Sequence, residues 1–529
     1  MIGGTIYAGT GLIGKLFAID SVTGVKQEIP LPAQYSSCSW VYELAATDSE
    51  LYAQLHCDGV TAGHVYSPAT GTWSPSLGVF GSQRVGASAD GREWFVSDGR
   101  LASRTRAGVV SVTTFAFGPK GNAVITDSSG AEWVIGLTAK GLLNRHRIGS
   151  STADTVDPGM PASAVHPRTL GVGPDGNLHV SGAVAGGLAT YCASSGVWGK
   201  FQGDIAQAEG IAAHDGSLYL GIYTGARIFR WASWRACSTP STALQAPVRM
   251  AELRGLSQDR PFALASIKPG LLAVGTVPDY GHLGGHLTLI NTTSAGTGTT
   301  NVVDLPGALP KSGIEIVDDQ SVLALQPGPA TADGSPDILY GGTGIYGGLG
   351  VNPTASDAVV FAFGLDTLTE RWRVTIPGES AVTALTLDGD GMLWAATAGK
   401  VYQIDPDTQS IVREVVVASF DWSTVVEASG VRAGLAYSTA DGTIHGSLRG
   451  KIVRINPMDG TFETLQGAQG KELVLRSAAS GGSPGNTDYW LDGGRLKSVT
   501  WPSRAASAIS ATISSTRPGS TSRPPTSRV

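Results

Sequence analysis

The chain has 529 residues, of which 42 % are hydrophobic and only 15 % are charged. This apolar content is enough for a substantial core, and it excludes a chain that is intrinsically disordered throughout. A formal net charge of −6 gives no basic surface of the kind that binds nucleic acid or an anionic membrane. We therefore expect no nucleic-acid partner. No apolar run approaches the roughly 18 residues of a membrane helix, so we also expect no membrane span.

The first residues have neither a basic leader nor an apolar signal segment, and they predict a strand directly, over residues 4–11. The few lysines and the many serines, threonines and glycines nevertheless favour a secreted, extracellular protein. Its signal peptide would then be absent from this chain.

The four cysteines fall as two local pairs, without the C-x-x-C spacing of zinc or redox sites. We predict the disulfides Cys38–Cys57 and Cys192–Cys237. Four buried thiols are the alternative.

One short strand pattern recurs along the chain, with alternating apolar residues and many β-branched and aromatic side chains. A second strand follows most copies, and then a turn of the Asp-x-x-Thr-Gly kind, as at residues 20–24. Each repeat therefore contains about four short strands, and no stretch keeps a helical period for long. The recurring strand occupies residues 4–11, 49–56, 91–98, 121–128, 176–183, 216–223, 270–277, 336–344, 391–398, 433–440 and 487–494.

Four short antiparallel strands at this period are typical of a β-propeller blade. A single small sheet cannot bury both of its faces, so such sheets stack radially and each covers its neighbour. We therefore predict an all-β fold, a multi-bladed β-propeller of four-stranded antiparallel blades. Because eleven copies exceed the usual four to eight blades of one ring, we predict two propeller units, with a single large ring as the alternative.

The domain boundaries follow from composition. A Pro/Ser/Thr stretch at 237–247 separates six copies from five, which predicts a first group of repeats at 1–245 and a second at 246–502. Residues 503–529 contain Ser, Thr, Arg and Pro but no aromatic residue, and they predict a disordered tail. Only 30 residues separate the third and fourth copies, which suggests that these two share one blade.

Pro-Asp-Gly-Asn-Leu at 174–178 and Val-Tyr-Gln-Ile-Asp-Pro-Asp-Thr at 401–408 carry a family resemblance. In this pattern, one turn precedes a strand and another turn follows the next strand. It resembles the secreted β-propeller superfamily, which has quinoprotein-like, YVTN-type and NHL-type repeats. It covers nearly the whole chain and implies the fold, but says little about function. A more distant, purely architectural similarity is to propeller-fold polysaccharide lyases.

Three short motifs have structural explanations. Gly-Thr-Gly-Leu-Ile-Gly at 9–14 matches a dinucleotide fingerprint but precedes a predicted strand, whereas a dinucleotide site needs a helix there. Gly-Gly-Ser-Pro-Gly at 481–485 lacks the strand and helix of a nucleophile elbow. Asp-Gly-Asp-Gly at 388–391 lacks the ligand series of a calcium loop and predicts a blade turn capped by aspartate.

The loops between second and third strands are the candidate functional segments, because most blades keep this loop short. Loops at 54–66, 221–230, 275–290 and 341–361 are longer or richer in His, Tyr and Arg. From two of them we select four candidate catalytic residues, with Arg230 as a substitute for the arginine: His282, Tyr280, Tyr223 and Arg227.

These residue types suit β-elimination on a uronate-containing glycan. An arginine neutralises the carboxylate, a His or Tyr removes the C5 proton, and a Tyr or His protonates the leaving oxygen. By analogy with the propeller lyases, we expect a monomeric polysaccharide lyase acting on a polysaccharide or oligosaccharide. We expect no cofactor, although a structural or catalytic divalent cation such as calcium is compatible with the sequence. The alternative is a non-catalytic propeller that binds glycan or protein.

Overall fold

The fold was analysed in a computed structural model. Within the described residues the regular structure is all β, apart from three single 3₁₀ turns at Ala33–Tyr35, Arg254–Leu256 and Trp422–Thr424. None of the helices in this part of the chain is long and apolar enough to cross a membrane. The described residues are 1–11, 13–35, 40–57, 60–118, 121–138, 141–159, 165–184, 186–199, 201–203, 205–232, 237, 246–293, 301–305, 313–427, 431–475, 487–501 and 513–516.

The chain divides into two compact units, Met1–Ala164 and Val165–Val529. Within its described residues, the first unit contains four antiparallel sheets. Sheet 1 comprises β1 (Thr5–Gly9), β2 (Leu16–Asp20) and β3 (Lys26–Ile29). Sheet 2 comprises β4 (Trp40–Ala46), β5 (Leu51–Cys57), β6 (Val60–Ser67) and β7 (Thr72–Trp73). Sheet 3 comprises β8 (Gly86–Ala87), β9 (Glu93–Ser97), β10 (Arg100–Arg104) and β11 (Val110–Ala116). Sheet 4 comprises β12 (Ala123–Thr126), β13 (Glu132–Leu137), β14 (Leu143–Arg147) and β15 (Asp154–Val156).

Consecutive sheets of the first unit bury apolar side chains against each other. Leu16 and Val41 share a core between sheets 1 and 2, and Tyr52 packs beside Phe80 and Phe95 between sheets 2 and 3. Such burial of a hydrophobic face is what makes a small sheet stable, because an isolated pair of strands is marginal in water.

In the part of the second unit that the structure describes, there are seven antiparallel sheets. Sheet 5 comprises β16 (Pro167–Val172), β17 (Leu178–Gly182), β18 (Leu188–Cys192) and β19 (Val197–Trp198). Sheet 6 comprises β20 (Ala208–His214), β21 (Ser217–Ile222), β22 (Arg227–Trp231) and β23 (Val248–Glu252). Sheet 7 comprises β24 (Gln258–Lys268), β25 (Leu271–Pro278) and β26 (Leu287–Asn291). Sheet 8 comprises β27 (Ser321–Pro327), β28 (Ile338–Gly344), β29 (Ala358–Gly364) and β30 (Thr369–Ile376).

The last three sheets of this unit have four strands each. Sheet 9 comprises β31 (Ala384–Leu387), β32 (Leu393–Ala396), β33 (Lys400–Asp405) and β34 (Ser410–Val416). Sheet 10 comprises β35 (Gly434–Ser438), β36 (Thr443–Leu448), β37 (Lys451–Ile455) and β38 (Phe462–Thr464). Sheet 11 comprises β39 (Lys471–Leu475), β40 (Thr487–Asp492), β41 (Arg495–Thr500) and β42 (Ile513–Thr516).

The seven sheets of the second unit close into a ring. The first strand of each sheet contacts the first strand of the next, from β16 through β20, β24, β27, β31 and β35 to β39. The circle closes because β39 also contacts β16, and Leu170 and Leu178 of sheet 5 share a buried core with Leu491 of sheet 11. The second unit is therefore a seven-bladed β-propeller, which confirms the predicted fold class.

The structure divides the chain at 164/165, not at the predicted boundary of 245/246. Residue 245 lies in the chain between β22 and β23, which are paired strands of sheet 6. Sheets 6 and 7 are themselves neighbours in one ring, because β20 contacts β24 directly. The prediction that the third and fourth copies share a blade is wrong. Residues 91–98 contain the second strand of sheet 3, whereas residues 121–128 contain the first strand of sheet 4. The two copies therefore occupy different strand positions in consecutive blades, and this is why the distance between them in the sequence is short. The predicted tail at 503–529 lies outside the described residues, apart from β42.

The Asp-Gly-Asp-Gly segment is a structural turn, as predicted. Asp388 accepts hydrogen bonds from the amides of Asp390 and Met392, both at 3.0 Å. Its second oxygen accepts from the indole of the buried Trp394 at 2.8 Å. The motif at 9–14 leads into strand β2 rather than a helix, and the motif at 481–485 lies outside the described residues.

One of the two predicted disulfides is confirmed. Cys192 and Cys237 are bonded, with Cα atoms 5.7 Å apart. Such bonds are typical of oxidising compartments, while secretion itself stays a prediction. Cys38 lies outside the described residues, so the pairing of Cys38 with Cys57 also stays a prediction.

The ring geometry explains where a site can form. In every blade the first strand is antiparallel to the second, so the end of the second strand lies beside the start of the first. Ala208 at the start of β20, for example, pairs with Ile222 at the end of β21. The loops after second strands and the beginnings of the seven inner strands therefore meet on one face of the propeller, which we call the entry face.

Candidate functional site

Two of the four predicted residues meet on the entry face. The hydroxyl groups of Tyr223, after β21, and Tyr280, after β25, lie 3.0 Å apart. Tyr223 is fixed by its amide, which donates to the carbonyl of Gln207 at 3.0 Å. Burial, reinforced by the contact with Tyr280, raises the pKa of Tyr223 well above its usual value. At neutral pH its hydroxyl is therefore protonated and can donate a hydrogen bond.

The other two predicted residues do not join this pair. Arg227 turns back onto the main chain, where its Nε donates to the carbonyl of Thr224 at 2.8 Å. His282 is exposed, and within the described residues its imidazole has no hydrogen bond. Its main-chain carbonyl instead accepts from the amide of Gly348 at 3.0 Å, which anchors the loop to the next blade.

The arginine that accompanies the tyrosines is Arg260. Its guanidinium lies 4.2 Å from the centre of the Tyr223 ring, within the range of a cation–π contact. The same guanidinium donates to Glu209 at 2.7 Å. Arg260 thus connects the tyrosine pair to the centre of the entry face.

Glu209 lies at the middle of this group, where several side chains donate to its carboxylate, and its side chain is fully buried. Its carboxylate accepts from Arg260, from the Nε of Arg168 at 3.0 Å and from Arg432. Gln207 adds a fourth hydrogen bond at 2.6 Å. Burial by itself raises the pKa of Glu209, but the three arginines outweigh it and bring the pKa down to about 2. Glu209 is therefore ionised at neutral pH.

Two buried guanidinium nitrogens in this group have no hydrogen-bond acceptor within the described residues, Nη2 of Arg168 and Nε of Arg432. Burial, together with repulsion from Arg432, lowers the pKa of Arg168 even though Glu209 opposes this. The positive charge of Arg168 is therefore incompletely compensated, and a further anion would stabilise it. We call this set the arginine–tyrosine cluster: Tyr223, Tyr280, Arg260, Glu209, Arg168 and Arg432.

Two cavities adjoin the cluster. The first, of about 220 Å³, is the central channel of the ring, lined by Glu209, Arg432 and residues from all seven inner strands. The second, of about 400 Å³, is lined by residues of sheets 9 to 11 and also includes Arg432. The guanidinium of Arg432 lies against the ring of Phe262, 4.1 Å from its centre, so this arginine has an aromatic floor as well as ionic partners.

Sequence analysis missed Arg168, Glu209, Arg260 and Arg432. A signal for them exists in the sequence, because each lies within two residues of the start of an inner strand. Glu472, which accepts from Arg432 at 3.1 Å, occupies the same repeat position. A charged residue at the start of an apolar inner strand therefore marks the entry face, but this is visible only once the inner strands are identified.

Within the described residues, no group of three or more His, Cys, Asp or Glu side chains is arranged to hold a metal ion. The expected absence of a cofactor stays a prediction, as does the alternative of a calcium ion.

No protein-family model matches the chain, and no curated protein matches it. Solved structures similar to it include the extracellular domain of BT4673 from B. thetaiotaomicron, with 15 % identity and a TM-score of 0.40 over 92 % of this chain and 62 % of that domain. The extracellular domain of BT3049 from the same organism has 13 % identity and a TM-score of 0.38 over 93 % of this chain and 65 % of that domain. The Dos1 propeller has 8 % identity and a TM-score of 0.41 over 78 % of this chain and 88 % of that one.

The chain thus spans less than two thirds of the length of the two B. thetaiotaomicron domains. The assignment of a propeller rests on the chain's own sheet order and ring closure. The narrower resemblance to quinoprotein-like, YVTN-type and NHL-type repeats, and the similarity to polysaccharide lyases, stay predictions.

Proposed function

We propose that the protein is a non-catalytic binding protein, which binds a carboxylate-bearing carbohydrate on the entry face of its propeller. The observation that carries this proposal is the arginine–tyrosine cluster. Within the described residues, buried guanidinium nitrogens of Arg168 and Arg432 lack acceptors, and Arg260 links their shared carboxylate to the tyrosine pair. Carboxylates are the natural acceptors for such donors, because charge-assisted hydrogen bonds to arginine are short and strong.

The tyrosines supply the second half of the recognition. Tyr223 and Tyr280 are half-buried and offer both an apolar ring and a hydroxyl, which suits the mixed faces of a sugar. Because Arg260 holds Tyr223 in place and Glu209 holds Arg260, the pair is positioned before a ligand arrives. Such preorganisation reduces the entropy cost of binding.

The experiment is isothermal titration calorimetry, in which D-galacturonate is titrated into the protein and galactose serves as the uncharged comparison. Wild-type protein should bind the uronate and not galactose. Tyr223→Phe and Tyr280→Phe, which each remove one hydroxyl, should weaken uronate binding by about tenfold, the usual effect of one lost hydrogen bond. Tyr437→Phe is the matched control, because that hydroxyl lies near Gly389 at the opposite end of the inner strands. Equal affinity in all three variants would contradict the proposal.

One observation favours a second candidate function, β-elimination on a uronate polymer. Two tyrosine hydroxyls 3.0 Å apart beside Arg260 provide two proton-transferring groups and a cation. A base would take the C5 proton, the electron pair would form the C4–C5 double bond, and the C4–O bond would break. The departing oxygen would take a proton from Tyr223, whose raised pKa suits an acid. Tyr280 or His282 would be the base, and Arg260 would replace Arg227 as the neutralising group.

A further inference from the structure

The larger cavity on the entry face has a composition different from that of the channel. Its volume of about 400 Å³ is within the usual range of small-molecule sites. It is formed by turns after the second strands of sheets 9, 10 and 11, by Phe420 after β34, and by the residues that lead into β35 and β39. We call it the basic cavity, since three cationic side chains and one aromatic ring line it: Arg432, Arg449, Lys471 and Phe420.

Two of the three positive charges of this cavity, those of Arg449 and Lys471, are not paired with a carboxylate within the described residues. Arg449 is exposed and lies 4.8 Å from the centre of the Phe420 ring. Within the described residues, neither Arg449 nor Lys471 has an ion-pair partner. The one carboxylate lining the cavity, Asp492, is already paired with Lys497.

Arg432 provides a buried donor at the wall of the cavity. Its side chain is only 8 % exposed, and its other guanidinium nitrogens bind Glu209 and Glu472. Its Nε has no acceptor within the described residues, which is costly for a buried polar group.

A second electrostatic observation points the same way. Desolvation of the ammonium group is the main cause that lowers the pKa of Lys471. Attraction by Glu472 and Glu209 opposes this, and repulsion from Arg168 and Arg432 adds to it. The ammonium group of Lys471 is therefore close enough to Arg168 and Arg432 of the arginine–tyrosine cluster to interact with their charges.

We propose that the basic cavity binds a second anionic group of the same ligand, so that the protein recognises an oligouronate rather than a single acidic sugar. This inference rests on the proposed function for the identity of the ligand. Arg449 and Lys471 would bind the second carboxylate, Nε of Arg432 would donate to it, and the ring of Phe420 would face the sugar. Because two linked groups bind with a high effective concentration, an oligomer should bind more tightly than its monomer.

The test compares D-galacturonate with trigalacturonate by isothermal titration, with maltotriose as the neutral control. Wild-type protein should bind trigalacturonate at least about tenfold more tightly than galacturonate. The double variant Arg449→Gln/Lys471→Gln should lose this advantage and keep its affinity for galacturonate. Lys268→Gln is the matched control, because Lys268 is an exposed cation at the far end of the inner strand β24. Both substituted residues of the double variant are exposed, so it should keep the wild-type melting temperature.

The outcomes separate the two proposals. Unchanged trigalacturonate affinity in the double variant would overturn the basic cavity while leaving the arginine–tyrosine cluster in place. If trigalacturonate binding depends on Arg449 and Lys471 but not on Tyr223 or Tyr280, the basic cavity stands and the proposed function falls. A wild-type protein that binds neither uronate would overturn both.

Discussion

Arg432 and Glu209 form an ion pair across the mouth of the propeller channel, joining blades that are not neighbours in the ring. The two residues are 223 positions apart in the chain, in sheets 10 and 6 of the second unit. Arg432 also donates to the main-chain carbonyl of Glu209 at 3.0 Å and to Glu472 of sheet 11. One arginine therefore connects three blades at the place where a ligand would bind.

Replacing Glu209 with glutamine should strongly destabilise the second unit. The change leaves the buried charges of Arg168, Arg260 and Arg432 without their shared carboxylate, and breaking such a buried network typically costs about 3–5 kcal/mol. Urea unfolding followed by tryptophan fluorescence measures the loss. The control is Glu370→Gln, whose ion pair with Arg373 is partly exposed and should cost less than about 1 kcal/mol. Equal losses in the two variants would contradict the assigned role of Glu209.

His445 should make the stability of the propeller depend on alkaline pH. Its imidazole is fully buried and lies 2.8 Å from Asp488 and 3.4 Å from Asp441. Burial alone lowers the pKa of His445, but the two carboxylates raise it to about 9. Because this exceeds the ordinary value of about 6.5, the stabilisation is fully present below about pH 6.5 and is lost as the pH rises through 9. The size of this stabilisation is about 3 kcal/mol.

The measurement for His445 is the free energy of unfolding between about pH 6 and pH 10, in wild-type protein and in His445→Gln. The wild-type protein should lose its advantage over the variant as the pH rises. His282→Gln, at an exposed histidine, should follow the wild-type curve. A constant difference between wild type and His445→Gln across this range would show that His445 is neutral in the fold.

Removing the Cys192–Cys237 disulfide should destabilise the second unit by up to about 4 kcal/mol, the value that the chain-entropy model gives for its loop. The two cysteines are 45 residues apart, so the bond constrains a long segment of the unfolded chain. Thermal unfolding of Cys192→Ala/Cys237→Ala, compared with the oxidised wild-type protein, measures the effect. A double variant with the same melting temperature as the oxidised wild type would contradict the prediction.

Thiol titration of the unfolded, unreduced protein tests the second predicted disulfide. If Cys38 pairs with Cys57, no free thiol should be found. Two free thiols in wild-type protein would show that only Cys192 and Cys237 are bonded.

The elimination candidate predicts new absorbance at about 235 nm when the protein is mixed with a uronate polymer, since the product carries a conjugated double bond. Tyr223→Phe and Tyr280→Phe should each lower the rate by about 10²–10⁴-fold, the usual contribution of general acid–base catalysis. His282→Ala distinguishes the two candidate bases, and Tyr437→Phe is the control. If no polymer gives absorbance while galacturonate still binds, the protein is a binder.

The sequence alone determined the architecture of the blades. The alternation of apolar residues and the aspartate-capped turns depend on interactions between residues that are close in the chain. The turn at Asp388 is an example, because it forms as its local pattern predicts. The pairing of Tyr223 with Tyr280 could also be anticipated in part, because both loops follow second strands and these loops meet on one face.

Ring closure and the centre of the site were decided only by the tertiary structure. Whether β39 meets β16 depends on how many blades complete a circle, which no local pattern encodes. Arg227 was the nearer arginine in sequence, yet its guanidinium turned to the main chain and Arg260 from the next blade took the place beside Tyr223. Glu209 and Arg432 meet because the ring brings the starts of distant inner strands together, and buried charges must then find partners across the channel.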